Sequence, residues 1–154
     1  MKLYHGSNKV IEQIDLSYSK VGKDFGCGFY LSPTLGQAGE LAKRKTEQIG
    51  EGIPTVTTFE FDDSLLESEE LSVLRFETYS KEWAEFVLMN RKNRTRISVH
   101  SFDIVIGPIA NDTVGYQIRR FTLGIISMEQ FLEGLKHMKG ITFQYYFGTE
   151  NAIK

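Results

Sequence analysis

The stretch Gly22-Lys23-Asp24-Phe25-Gly26-Cys27-Gly28-Phe29-Tyr30-Leu31-Ser32-Pro33 limits the fold of this chain more than any other. Two glycines flank Cys27, and the chain then turns apolar and aromatic. Ser32-Pro33 has the form of a helix start, with Ser32 as N-cap and Pro33 at the first helical position. The expected local structure is therefore a glycine loop, a short strand over Gly28–Leu31 and a helix from about Pro33. Glycine lets a backbone come close to something flat or anionic. The same pattern also fits a tight turn that buries two aromatic rings.

Elements on either side read as follows. Lys2–His5 is a first strand ending at Gly6-Ser7, and Ser17–Lys23 a polar, mobile surface loop. Leu35, Ala38, Leu41 and Ala42 have helix spacing up to about Ile49. Gly36 and Gly39 inside that helix suggest close packing on a sheet. Thr55–Phe61 alternates and is β-branched, the clearest strand. Leu71–Arg75 is a possible short strand. Ser80 caps a helix to about Arg91, with Trp83, Phe86, Val87 and Asn90 on one face. Lys92, Arg94 and Arg96 form a basic turn, solvated or facing a phosphate. Phe102–Pro108 is a buried strand. Asn111-Asp112 caps a helix to about Phe121 with Val114, Ile118 and Phe121 inward. Ser127-Met128-Glu129-Gln130 is a capping box for a helix to about Met138, broken at Gly140. Ile141–Phe147 is the last strand, followed by a truncated helix start at Thr149–Ala152. The class is α+β in a single domain, 1–154, with the first and last strands candidates for adjacency.

Composition excludes more than it assigns. A net charge of −2 gives no bulk attraction to nucleic acid. One cysteine rules out an internal disulfide, and a cytoplasmic setting is expected. No apolar leader or membrane-length run is visible. His100 and His137 have no metal-like partners, so no metal is expected. Cys27 reads as a small filler rather than a nucleophile.

Three pieces stand out together: Leu3-Tyr4-His5-Gly6-Ser7, Phe25-Gly26-Cys27-Gly28-Phe29-Tyr30-Leu31-Ser32 and Gln144-Tyr145-Tyr146-Phe147-Gly148-Thr149-Glu150. Jointly they resemble the ADP-ribosyltransferase superfamily, in its diphtheria-toxin and poly-ADP-ribose-polymerase branch. With Asp103-Ile104-Val105-Ile106-Gly107-Pro108-Ile109-Ala110-Asn111-Asp112 added, nearly the whole chain is similar to an uncharacterised bacterial family of that superfamily.

The resemblance implies a split, twisted antiparallel sheet with flanking helices and NAD, as co-substrate, in the cleft between its halves. It implies that His5 bonds a ribose hydroxyl and that the Gly6 backbone holds the nicotinamide carboxamide. Tyr30 would stack on the nicotinamide ring, and Ser32 would reach the carboxamide. Ser7, Phe25, Gly26, Gly28 and Phe29 would line the same site. Breaking the nicotinamide–ribose bond leaves positive charge on the ribose, which a fixed carboxylate or carbonyl stabilises. The family places a glutamate there, whereas this chain aligns Gln144, which cannot act as a general base. Glu82, Glu85 and Glu150 are the substitute carboxylates to consider. The expected activity is mono-ADP-ribosyl transfer to a protein or nucleic-acid acceptor, in a toxin-like effector with a small antitoxin-like partner. NAD hydrolysis, or NAD or ADP-ribose binding without turnover, are the alternatives.

Overall fold

The computed structural model describes residues 1–16, 20–110, 112–136, 141–150 and 152–153. It is α+β, with six strands in two sheets and four α-helices among the described residues. The strands are β1 Lys2–Ser7, β2 Phe29–Leu31, β3 Thr55–Glu60, β4 Val73–Arg75, β5 Ile104–Pro108 and β6 Phe143–Phe147. The helices are α1 Leu35–Ile49, α2 Lys81–Lys92, α3 Asp112–Thr122 and α4 Met128–Lys136, and a 3-10 helix spans Asp63–Glu67. No helix among the described residues is long and apolar enough to cross a membrane.

β1 and β3 form one antiparallel sheet, and the other has the order β2-β6-β5-β4. The first strand therefore pairs with β3 rather than with the last strand. β6 is central instead, hydrogen-bonded to β2 on one side and β5 on the other. The sheets touch at one bridge, where Tyr4 N–H donates to Ser32 O (2.9 Å) and Ser32 N–H to Tyr4 O (2.7 Å). The larger sheet is not wholly antiparallel, since β4 and β5 run parallel.

Two apolar clusters fill the interior. One gathers Phe25, Trp83, Val87, Val105, Val114, Phe131 and Tyr146 beneath the helices α2, α3 and α4. The other gathers Leu3, Leu31, Ile104 and Phe147, with Phe29 and Phe59 packed against it. α2 buries Trp83, Phe86, Val87 and Asn90, the face that its spacing predicts.

Caps explain the helix boundaries. Ser80 Oγ accepts from Trp83 N–H at 3.1 Å. The Ser127 box is reciprocal: Gln130 N–H donates to Ser127 Oγ (3.1 Å), and Ser127 N–H to Gln130 Oε1 (2.8 Å). Ser32 is not the cap of α1. The bridge to Tyr4 holds its backbone in the strand, so Thr34 caps the helix two residues later. Gly50, left-handed at φ 80°, closes its end. Ala152 N–H donates to Thr149 O at 3.1 Å; Asn151, within the expected truncated helix start, lies outside the described residues. The cap at Asn111, the helix end at Met138, the break at Gly140, His137 and part of the 17–23 loop lie outside the described residues.

The glycines of α1 do not pack on a sheet. A Cβ at Gly36 or Gly39 would meet nothing within 4 Å. Each therefore costs helix stability with no packing return. Gly36→Ala and Gly39→Ala should each stabilise the protein by about 0.5–1 kcal/mol. Thermal denaturation of each variant checks this, and an unchanged or lower midpoint would contradict it. The close approach to α1 comes from the other side: a Cβ at Gly6 would run into the backbone of Ala38 and Ala42.

Candidate functional site

Three neighbouring strands carry the candidate residues: His5 and Gly6 on β1, Ser32 just past β2, and Gln144 on β6. The Tyr4–Ser32 bridge sets the geometry. Because Tyr4 gives both backbone groups to Ser32, the two-residue alternation turns the N–H and C=O of Gly6 away from β3 as well. The same antiparallel register would set Gly6 opposite Tyr30. The ladder stops there, because the His5 ring takes the acceptor it would use: Nδ1 lies 2.9 Å from Tyr30 O. That oxygen can only accept, so Nδ1 carries the proton and Nε2 is left as an acceptor. The ring also stacks on Phe29, centroids 4.3 Å apart. Burial holds the His5 pKa below its usual 6.5, the Tyr30 carbonyl opposes this, and the nearby Lys45 ammonium adds to it. His5 is thus a neutral imidazole with its orientation fixed. Where β1 and β2 part, His5 Nε2 and the Gly6 backbone have no partner among the described residues.

Extending the β2–β6 register by one residue sets Gln144 level with Ser32. Ser32 is buried, and its hydroxyl has no partner among the described residues. Gln144 Nε2 is buried and likewise has no hydrogen-bond partner among the described residues. An unpaired buried amide donor costs about 1–3 kcal/mol, which a ligand oxygen would offset. None of the three considered carboxylates lies buried beside it. Glu82 and Glu85 are on the exposed face of α2, Glu85 near Lys81 at 3.9 Å, and Glu150 is exposed in the turn after β6.

The glycine loop serves the fold. Its successive carbonyls are each taken by an aromatic side chain. His100 Nε2 donates to Phe25 O (2.7 Å), Tyr30 Oη to Gly26 O (2.6 Å) and Tyr146 Oη to Cys27 O (2.8 Å). Tyr30 Oη also accepts from Phe25 N–H at 3.0 Å. The Tyr30 ring packs beside Phe25 and Tyr146, and burial pushes its hydroxyl pKa well up. Burial, then the Cys27 thiol, pushes Tyr146 up to about 12. Phe25 is fully buried in the core. Gly26 needs its left-handed φ of 100°. Gly28 approaches Tyr146 and the Phe147 carbonyl, not open space. The loop is therefore a clasp on β6 rather than an open ligand platform. The aromatic ring bordering His5 is that of Phe29. Ser7 is buried, with Oγ 3.3 Å from Asn8 Oδ1. Cys27 Sγ donates to Lys20 O at 3.4 Å.

Sequence reading missed Lys45. It is partly buried on α1, and burial first, then Lys23 and Lys20, lower its pKa. It has no carboxylate partner among the described residues. Its only signal was its place, three residues after the buried Ala42, and nothing in the chain's spacing ties it to His5. No cluster of metal-binding side chains occurs among the described residues. A family model described as protein of unknown function (DUF3990) matches residues 1–154. No curated protein and no solved structure matches the chain.

Proposed function

We propose that this chain, which belongs to the DUF3990 family, binds NAD where β1, β2 and β6 meet and cleaves its nicotinamide–ribose bond as a mono-ADP-ribosyltransferase. The observation that carries this reading is the unpartnered His5 Nε2 beside the Gly6 backbone where β1 and β2 part; the buried, unpaired Gln144 Nε2 lies on the next strand but one, level with Ser32. It fits the split-sheet fold of the ADP-ribosyltransferases, with the sheets joined by one bridge. His5 Nε2 would accept from a ribose hydroxyl. Gly6 N–H and C=O match the acceptor and donor of a carboxamide. Lys45 adds positive charge near His5, suited to a diphosphate.

In the reaction the bond from ribose C1′ to the nicotinamide nitrogen breaks, and nicotinamide leaves with the electron pair. Positive charge develops on the ribose. Gln144 Oε1 can face that charge while Nε2 donates to a ribose oxygen. An acceptor nucleophile then bonds C1′ and gives its proton to water, since Gln144 cannot take it. A neutral amide stabilises the charge less than a carboxylate does. The exposed positions of Glu82, Glu85 and Glu150 favour the second reading, NAD binding with slow or no turnover. Incubation with NAD labelled in the adenylate half, with nicotinamide release measured in parallel, separates them. Transfer gives both label on an acceptor and nicotinamide, whereas binding alone gives neither.

NAD affinity should depend on pH through His5. Its folded pKa lies below 6.5. Above that pKa Nε2 accepts from the ribose hydroxyl; below it the hydroxyl must turn to accept instead, and the ligand further desolvates a buried imidazolium. Affinity should be flat from pH 8 to 7 and fall as pH drops through the folded pKa. Stability should fall in the same direction, because the unfolded imidazole takes up the proton more readily. Calorimetric titrations from pH 8 to 5 check this; an affinity that rises on acidification would contradict it.

A further inference from the structure

We propose that the cleft between the C-terminal end of α2 and α3 is a second binding site, for a nucleotide-sized organic phosphate, independent of the β1–β2–β6 junction. The cleft holds about 480 Å³, enough for a base and sugar. Leu88, Ala110 and Ile118 line it as apolar surface, and Arg91, Lys92, Arg94 and Arg119 as cationic surface. Among the described residues no acidic side chain lines it. The chain as a whole carries a net charge of −2, so this concentration of cations is local.

Helix ends alone do not account for it. Basic residues in a last turn complement the helix dipole, as Arg91 and Lys92 do on α2. Arg94 lies beyond that helix and still lines the cleft. On α3 the neighbours diverge. Arg120 turns aside, with NH1 3.4 Å from Gln117 Oε1 and its guanidinium 5.7 Å from the Tyr116 ring centre. Arg119 lines the cleft and pairs with no carboxylate among the described residues. Arg91 is held by Asp24, Nε to Oδ1 at 2.7 Å, which fixes its guanidinium in place. Gly115 adds an independent observation. It sits inside α3, where glycine weakens a helix, and lines the cleft with nothing within 4 Å of a Cβ there. Its gain is the room it leaves in the cleft. Cations beside an apolar floor, one of them held in place by Asp24, match a ligand with phosphates on an aromatic body. A nucleic-acid backbone would require positive charge spread over an extended surface.

The test is calorimetric titration of the whole chain with ATP, inorganic pyrophosphate and adenosine. ATP should bind, pyrophosphate at least tenfold more weakly, and adenosine not measurably. Arg119→Glu and Arg94→Glu should each weaken ATP at least tenfold. Gly115→Leu should abolish ATP binding without lowering the melting temperature, because leucine fills the cleft and favours the helix. His5→Asn should leave ATP binding unchanged, which separates this site from the NAD site. Absence of ATP binding, wild-type ATP affinity in Gly115→Leu, or pyrophosphate binding as tightly as ATP would overturn the proposal. So would loss of ATP binding in His5→Asn.

Discussion

Gly28→Val should cost the protein about 3–5 kcal/mol, a large share of the stability of a small domain. A Cβ at this position would overlap the Tyr146 ring and lie 2.8 Å from the Phe147 carbonyl oxygen. Neither neighbour can retreat. Tyr146 is almost fully buried, and its hydroxyl is bonded to Cys27 O. Phe147 is paired to Phe29 and Ile104 on both sides. Overpacking of a core typically costs 1–3 kcal/mol. Here a backbone oxygen and a three-stranded register must also shift, so the upper end or beyond is expected. Typical total stability is about 5–15 kcal/mol. Urea denaturation of Gly28→Val measures the loss directly. A folded variant within 1 kcal/mol of wild type would mean that Gly28 does not touch β6. The sequence alone suggests the opposite outcome, a folded variant that has lost a ligand platform. Gly28 is close to something flat, but that something is the protein's own tyrosine.

The second large effect concerns Gln144. Gln144→Ala should lower nicotinamide release about tenfold, which corresponds to about 1.4 kcal/mol of lost transition-state stabilisation. The fold should tolerate it, because the change also removes a buried donor that has no partner among the described residues. Gln144→Glu places a negative charge beside the developing positive charge at nearly constant volume. Charge-assisted hydrogen bonds contribute about 1.5–3 kcal/mol against about 1 for neutral ones. Release should therefore rise, by about tenfold. Transfer and hydrolysis must be measured separately, since a carboxylate also activates water. Full activity in Gln144→Ala would show that the reaction does not pass through β6.

Elements with strong local signals were legible in the sequence. Trp83, Phe86, Val87 and Asn90 repeat at helix spacing, and all four are buried. The Ser127–Gln130 box forms as written. Long-range relations were not legible. Ser32-Pro33 is a good local cap, yet a bridge to Tyr4, 28 residues earlier in the chain, overrides it. Gly36 and Gly39 carry the same letter as Gly6 and Gly28. Only tertiary neighbours distinguish open glycines from those against which a backbone or ring is packed. For the candidate site, His5, Gly6, Ser32 and Gln144 could be named from motifs, but not their placement on three adjacent strands. Tyr30 shows the limit most plainly. Its carbonyl orients His5, while its ring and hydroxyl serve the core and the loop. One-dimensional spacing cannot separate a residue's backbone role from its side-chain role. Lys45 and the cationic cleft stayed hidden because their members come together only through helix packing.

The same detail decides how the NAD site is best tested. His5→Ala would strand the Tyr30 carbonyl and lose the stack on Phe29, so it would cost stability as well as binding. His5→Asn also loses the stack but keeps the carbonyl paired, so it is the cleaner variant. Its side-chain amide can donate to Tyr30 O in place of Nδ1, and it has nothing at the position of Nε2. The decisive measurement is calorimetric titration of NAD into the wild-type protein and into His5→Asn at pH 7.5, with the melting temperature of both. Binding to wild type, weakened at least tenfold in a His5→Asn protein that still melts cooperatively, is the predicted result. No NAD binding by wild type, or equal affinity in the two proteins, would contradict an NAD site at the junction of β1, β2 and β6.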